Sequence, residues 1–314
     1  MKAARVHQFG PPDVIVIDDV PQPRPGLGEV LVRVAAAGVG SWDALIREHK
    51  SVVKATLPLI LGADLSGVVE EVGPGVSTLH VGQEVYGVTN PDFCGAYAQF
   101  AIASAKMVAR KPLRLSQVEA ASAPVVAVTA WQMLFDYADA KPKQRILIHG
   151  AAGNVGAYAV QLASQARLQV FATAAAEDVA DVRSLGATAV IDYKTTRFEN
   201  AVPPVDAVID TVGGDTRARS FGIIKPGGVL VTSVSEPLPK EQQANAVRAV
   251  FFLVEVTTSR LEKVADLFNE SKLIARVGTV LPLEQARIAH EMLAGAPHKR
   301  GKIVLEVGGS IALD

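Results

Sequence analysis

The apolar positions of this chain change rhythm near residue 124 and again near residue 256. Before the first change they come in short β-like runs, at 3–6, 30–35, 68–72, 84–88 and 97–102. Gly and Pro cut these runs, as in Pro21-Gln22-Pro23-Arg24-Pro25-Gly26 and Gly73-Pro74-Gly75. That texture predicts an antiparallel, partly barrel-like sheet. In the middle of the chain, short unalternating apolar runs at 146–149, 170–173, 189–191, 207–210 and 229–233 read as strands, the last closed in by Pro226-Gly227-Gly228. Helical spacing starts at Val155 and recurs at 179–185 and 216–224, and a last apolar run covers 249–253. Buried runs separated by helices predict a parallel sheet covered on both faces, so the fold class is α/β with a doubly wound Rossmann sheet.

After that comes an amphipathic stretch at 259–271, a strand at 275–280, a helix begun by Pro282 and a strand at 302–307. This tail is too short to build its own core and is expected to rejoin the first part. At 314 residues two domains are the natural count. The expected division is 1–123 completed by 256–314, with 124–255 as a cofactor-binding domain.

The densest chemistry lies in Ile146-Leu147-Ile148-His149-Gly150-Ala151-Ala152-Gly153-Asn154-Val155-Gly156. A strand, a glycine turn and a helix in that order form the context of a nucleotide site. Gly150 permits the sharp turn, Gly153 permits close approach to a pyrophosphate, and Gly156 permits helix–strand packing. The helix start then offers unpaired N–H groups, so Ala152, Asn154 and Val155 join the candidate contacts. A doubly wound sheet holds its ligand beyond the carboxyl ends of its strands. That rule adds Thr173, Ala174, Tyr193, Val212, Gly213, Ser233 and Ser235. His149 is read as a wedge between loops and not as a metal ligand.

Lys+Arg 31 against Asp+Glu 32 gives net charge −1, with no basic stripe for a phosphate backbone. No apolar run is long enough to span a bilayer, and the first residues lack a signal-peptide core; a cytoplasmic enzyme of small molecules is expected. A single cysteine, Cys94, excludes an intrachain disulfide and a cysteine-rich zinc site.

These residues resemble the medium-chain dehydrogenase/reductase superfamily, in its zinc-free quinone oxidoreductase (zeta-crystallin-like) branch. The matching segments are 29–39, 61–69, 81–87, 127–131, the glycine turn, Gly186-Ala187, Ile191-Asp192-Tyr193 and Gly301-Lys302-Ile303-Val304-Leu305. The resemblance implies a GroES-like domain built from both chain ends, an inserted Rossmann domain and a homodimer. It also implies an NADPH cofactor, with Thr129, Phe252 and Lys302 among its contacts and Tyr193 near the adenosine phosphate. Zinc-dependent relatives carry Cys at the position of Gly40 and His at that of Ala63, so no metal is expected. Quinone reductases often carry Asn at the position of Gly40 and Tyr at that of Leu45, and both are missing here. Asp43 remains, as a turn or cap carboxylate or as part of the site. Trp42, Leu45, Ile46 and Phe93 are candidate walls of an apolar acceptor pocket, or ordinary core.

No side chain is an obvious general acid. That suits hydride transfer to an already electrophilic acceptor, a quinone or an α,β-unsaturated carbonyl, with water supplying the proton. The alternatives are an enoyl or alkenal double-bond reductase and, from another class, an NADPH-binding structural or redox-sensing protein with little turnover. The strand at 170–173 ends without the carboxylate that NAD-preferring sites place there, while Glu177 and Asp178 stand nearby. A moderate NADPH preference follows, with Lys194 adding charge beside Tyr193.

Overall fold

The computed structural model describes residues 1–53, 55–236 and 247–308. The chain divides into two compact units, 1–125 with 256–314 and 126–255.

In the first unit β1 (Lys2–Val6) pairs with β2 (Ile15–Asp19) and with β4 (Leu59–Ile60) in a small antiparallel sheet. The long strand β3 (Glu29–Val39) organises the larger sheet, pairing antiparallel with β5 (Asp64–Val72) and β7 (Phe100–Ser104). Beyond β5 lie β6 (Glu84–Val88) and β8 (Val108–Arg110). Val30, Val32 and Val34 alternate along β3 into one core with Leu65, Val85 and Tyr97, the period of a half-buried strand. A short helix α1 (Ser41–Arg47) leaves the end of β3, and α2 (Gln117–Ala121) closes this part with a Ser116–Glu119 capping box.

The helix α3 (Pro124–Trp131) carries the chain into the second unit at Val126 and is continued by a π-helical turn, Gln132–Tyr137. Six parallel strands follow. They are β9 (Arg145–His149), β10 (Gln169–Ala174), β11 (Ala189–Asp192), β12 (Val205–Asp210), β13 (Ile224–Thr232) and β14 (Arg248–Phe251). Their spatial order, β11-β10-β9-β12-β13-β14, steps outward on both sides of β9, as in a doubly wound sheet. Ile146, Leu147 and Ile148 are fully buried, which is why this strand reads as an unbroken apolar run. Among the described residues, the helices between these strands are α4 (Asn154–Gln165), α5 (Val179–Ser184), α6 (Phe198–Ala201) and α7 (Gly214–Ser220).

Two expectations need correction. The helix predicted at 216–224 occupies Gly214–Ser220, and Ile224 already belongs to β13. Pro226-Gly227-Gly228 does not close a strand from outside but lies within β13, where the pairing with β12 shifts register between Val205 and Ala207. A register break tolerates a residue without an N–H, which a regular ladder does not.

The tail returns to the first unit. The helix Thr258–Asn269 is followed by β15 (Val277–Pro282), the helix Ala286–Leu293 and β16 (Lys302–Glu306), which pairs with both β15 and β3. Pro282 precedes a 3₁₀ turn, Leu283–Gln285, and the α-helix begins only at Ala286.

Helix α4 lies so close to the β9 turn that a Cβ on Gly156 would meet the Gly150 carbonyl oxygen at 2.2 Å and the Ala151 Cα at 2.8 Å. Both neighbours are backbone and cannot swing away. Gly156→Ala is therefore expected to lower stability by about 1–3 kcal/mol. An unchanged denaturant midpoint would show that the helix can shift at no cost.

Candidate functional site

The three glycines of the β9 turn are not equivalent. Gly150 has φ of 68°, the left-handed region, and a Cβ there would meet Thr211 Oγ1 at 2.4 Å. Gly150 and Gly156 are thus fixed by the protein's own packing. Gly153 caps α4 in extended backbone, and a Cβ there would meet only the Gly150 oxygen, at 3.2 Å. That oxygen would have to give by a few tenths of an ångström, a much smaller demand than at Gly150 or Gly156. What Gly153 leaves is a bare helix start, with no side-chain cap on the N–H groups of Asn154, Val155 and Gly156. A cradle of N–H donors at the positive end of a twelve-residue helix fits a dinucleotide pyrophosphate. Ala152 lies in the same turn.

Beside this turn a cavity of about 450 Å³ is lined by His149, Gly150, Thr173, Tyr193, Val212 and Arg219, with Lys194 and Arg197 at its edge. Thr173 and Ala174 end β10 and are buried, whereas Tyr193 is 59% exposed. Lys194 pairs with Glu177 at 3.1 Å, and Glu199 holds both Arg197 (2.8 Å) and Arg219 (2.9 Å). His149 is fully buried between Thr173 and Ser220. Burial pushes its imidazole down to about 4, against the opposing pull of Asp210, so the ring is neutral at neutral pH.

Other candidates are placed differently from a simple ring of contacts. The N–H groups of Val212 and Gly213 donate to Asp210 Oδ1 at 3.0 and 2.8 Å, which leaves the Val212 side chain to face the cavity. Ser235 Oγ accepts from Arg217 at 2.7 Å, and Ser233 is half-buried just beyond β13. Phe252 is buried with its ring 4.5 Å from that of Tyr137, and Thr129 is buried on α3.

The first unit holds the remaining candidates. Lys302 is 1% exposed and gives its ammonium to Asp64 Oδ2 at 2.8 Å, beneath the face of Trp42 at 4.1 Å. Asp64 Oδ1 accepts the Val125 N–H at 2.9 Å. Asp43 Oδ2 accepts from the Gly40 N–H and from the Tyr97 hydroxyl, each at 2.8 Å, so this carboxyl caps α1. Burial raises Asp43 to about 7, although the Gly40 N–H, the Lys302 charge and the Tyr97 hydroxyl all lower it. Leu45 is exposed, Phe93 is half-buried with φ of 55°, and Ile46 belongs to the core. The Trp42 indole lies over Gly40 so closely that any Cβ there would meet it at 2.2 Å. Among the described residues, no three His, Cys, Asp or Glu side chains converge as a metal site would need.

Asp64, Tyr97 and Ser220 escaped the sequence reading. Asp64 stands in the matched segment 61–69, but nothing local tells a buried ion pair from a surface carboxylate.

Comparison with known proteins relates the whole chain to dehydrogenases and reductases. Residues 26–113 match the family described as alcohol dehydrogenase GroES-like domain, and residues 185–305 the family described as zinc-binding dehydrogenase. A probable zinc-binding oxidoreductase, mitochondrial, of Arthroderma benhamiae is 32% identical over 96% of both chains. A 2-haloacrylate reductase of a Burkholderia species is 30% identical, covering 96% of this chain and 98% of its own. The solved structure of the quinone oxidoreductase from Coxiella burnetii superposes with a TM-score of 0.91 at 34% identity, covering 98% of this chain and 99% of that one.

The Asp43 carboxyl generates a pH prediction. Its folded value near 7 lies above the ordinary 3.8, so its contribution to stability is complete below about pH 4 and is lost as pH rises through 7. Asp43→Asn keeps an acceptor for Gly40 and Tyr97 but cannot titrate. Stability of wild type relative to this variant should fall between pH 4 and 7, by up to about 1.4 kcal/mol per unit. A difference constant across that range in thermal denaturation would contradict the assignment.

Proposed function

The chain belongs to the quinone oxidoreductase branch of the medium-chain dehydrogenase/reductase superfamily, and from that premise we propose an NADPH-dependent, zinc-independent reductase of quinones or other α,β-unsaturated carbonyl acceptors. Membership makes it an oxidoreductase of a nicotinamide-dependent family. The observation that carries the nucleotide reading is Gly153, whose missing side chain would meet a single close neighbour, the Gly150 oxygen at 3.2 Å, and which leaves the α4 N–H groups open.

A bound nicotinamide supplies a hydride to the acceptor. The protein's part is to fix and shield. The N–H groups of Asn154, Val155 and Gly156 hold the pyrophosphate, and Tyr193 and Lys194 stand at the adenosine end. Trp42, Leu45 and Phe93 offer apolar surface to the acceptor, with orientation and exclusion of water as their contribution. The acceptor is polarised by its own conjugation, so a proton from water completes reduction of the quinone to a hydroquinone or of the enone to a saturated ketone. Zinc independence is supported by the Trp42 indole, which occupies the space where any side chain on Gly40 would start, and by Ala63 at the position of a His ligand. The haloacrylate reductase relative supports activated alkenes beside quinones.

The NADPH preference rests on the absence of a carboxylate at the end of β10 and on Lys194. Ala174 is buried, so a carboxylate placed there would be desolvated as well as repulsive. Lys194 is half-exposed and therefore the more informative position. Lys194→Ala is expected to weaken NADPH by a few-fold, the modest effect of a solvent-screened charge, and to leave NADH unchanged. Equal loss for both cofactors, measured as kcat/KM, would remove Lys194 from the phosphate end.

Gly153→Ala should remain folded, in contrast to the destabilised Gly156→Ala, yet lose NADPH affinity by at least about tenfold, or 1.4 kcal/mol. Fluorescence titration decides this, and normal affinity in the folded variant would displace the pyrophosphate from this turn. For the reaction itself, chelator-treated protein should oxidise NADPH only when a quinone or enone is added. Simple primary alcohols with NADP⁺ should give no rate, since no metal lowers the alcohol pKa. Oxidation of alcohols, or activity lost with a stoichiometric zinc, would overturn the proposal. Tight NADPH binding without turnover on any acceptor would favour the binding-protein alternative.

A further inference from the structure

Hydrogen-bond donors and acceptors around His149 can be assigned one by one. Ser220 Oγ donates to the Thr216 carbonyl at 2.7 Å, which uses its single proton. The 2.9 Å contact between Ser220 Oγ and His149 Nε2 must then be donated by the ring. A neutral imidazole with its proton on Nε2 carries a bare Nδ1. The 3.0 Å contact from Nδ1 to Thr173 Oγ1 is therefore donated by the threonine hydroxyl. The chain of donors runs one way, from Thr173 through His149 and Ser220 to the backbone at Thr216.

The consequence lies at the cavity end. Thr173 Oγ1 has spent its only proton inward, and both His149 and Thr173 line the cavity beside the glycine turn. A ligand group that reaches Thr173 Oγ1 from the cavity would meet lone pairs and no proton. Thr173 thus offers acceptance to a ligand donor and opposes an anionic oxygen. Thr173 stands near the carboxyl end of β10, the strand next to β9, where a doubly wound sheet reads the adenosine ribose. Around it the cavity is lined by donor groups, the hydroxyl of Tyr193 and the side chains of Lys194, Arg197 and Arg219, whose charges are shared with Glu177 and Glu199.

We infer that Thr173 Oγ1 accepts a hydrogen bond from the 3′-hydroxyl of the adenosine ribose, and that His149 and Ser220 act as positioning residues that hold the threonine hydroxyl in this polarity. The inference rests on the nucleotide reading above and deepens it. A 2′-phosphate has no proton to give to Thr173, so the cofactor is seated with its 3′-oxygen at β10 and its 2′ substituent elsewhere. Specificity at this point comes from the direction of one proton, set by a serine that does not reach the ligand.

The test uses ADP, 2′-deoxy-ADP and 3′-deoxy-ADP as probes in calorimetric titration of the whole protein. ADP should bind about tenfold more tightly than 3′-deoxy-ADP, which is about 1.4 kcal/mol, while 2′-deoxy-ADP should stay close to ADP. Thr173→Val should abolish the discrimination and Thr173→Ser should restore it. Ser220→Ala removes the acceptor that holds the proton on Nε2. The ring can then protonate Nδ1 and turn the threonine hydroxyl outward, so the preference for ADP over 3′-deoxy-ADP should vanish there too. Nitrogen-15 NMR of histidine-labelled wild type should show the His149 signal, identified by its loss in His149→Gln, with Nε2 protonated and Nδ1 bare. That spectrum and the wild-type titrations need no variant to fold. An Nδ1-protonated ring, or equal binding of ADP and 3′-deoxy-ADP, overturns the inference while leaving the nucleotide reading intact. If neither ADP nor NADPH binds, both fall together.

Discussion

The second unit depends on one close approach, that of helix α4 to the turn after β9. The two meet backbone to backbone at Gly156 and Gly150, with no room for a single extra carbon. Because the helix is fixed there, its first N–H groups are fixed too, and their direction is a property of the fold and not of any side chain. Gly153 then acts as an opening. The same turn brings Gly150 against Thr211, and Thr211 Oγ1 donates to the His149 carbonyl at 2.7 Å, so the β12 loop is tied to the end of β9. Cavity, cradle and loop follow from that one contact.

The first unit is governed by buried charge instead. Asp64 and Lys302 lie side by side with almost no access to water, and Asp43 is buried close by. Removing charges from water is costly, and the cost is offset only where partners are supplied. Here the partners are specific: a backbone N–H for Asp64, an indole face for Lys302, a backbone N–H and a phenol for Asp43. These contacts join β16 to β5 and the turn around α1 to Tyr97, and they hold Trp42 over Gly40. The indole fills the space that a side chain on Gly40 would enter, which is the packing that supports the zinc-independent reading proposed above.

What was legible in the sequence was local. Ile146 to Gly156 could be read because strand, turn and helix lie within a dozen residues, and each residue type answers to its immediate neighbours. The same holds for the strand ends that place Thr173 and Tyr193. Features built from distant parts of the chain were not legible. Asp64 and Lys302 are 238 positions apart, and His149 and Ser220 are 71. Composition and periodicity do not say which carboxylate is buried or which serine accepts from a histidine. Pro226-Gly227-Gly228 misled for a related reason, since local turn chemistry was absorbed by a register shift that only the neighbouring strand provides.

The central claim is that hydride passes directly from a nicotinamide to an activated acceptor without help from a metal. The most direct measurement uses NADPH carrying deuterium at the transferred C4 position, chelator-treated protein and an α,β-unsaturated ketone, with the product examined by mass spectrometry and NMR. The account predicts one deuterium at the carbon β to the carbonyl, at a rate unaffected by added zinc. Label lost to solvent, or turnover that appears only when zinc is restored, would contradict it.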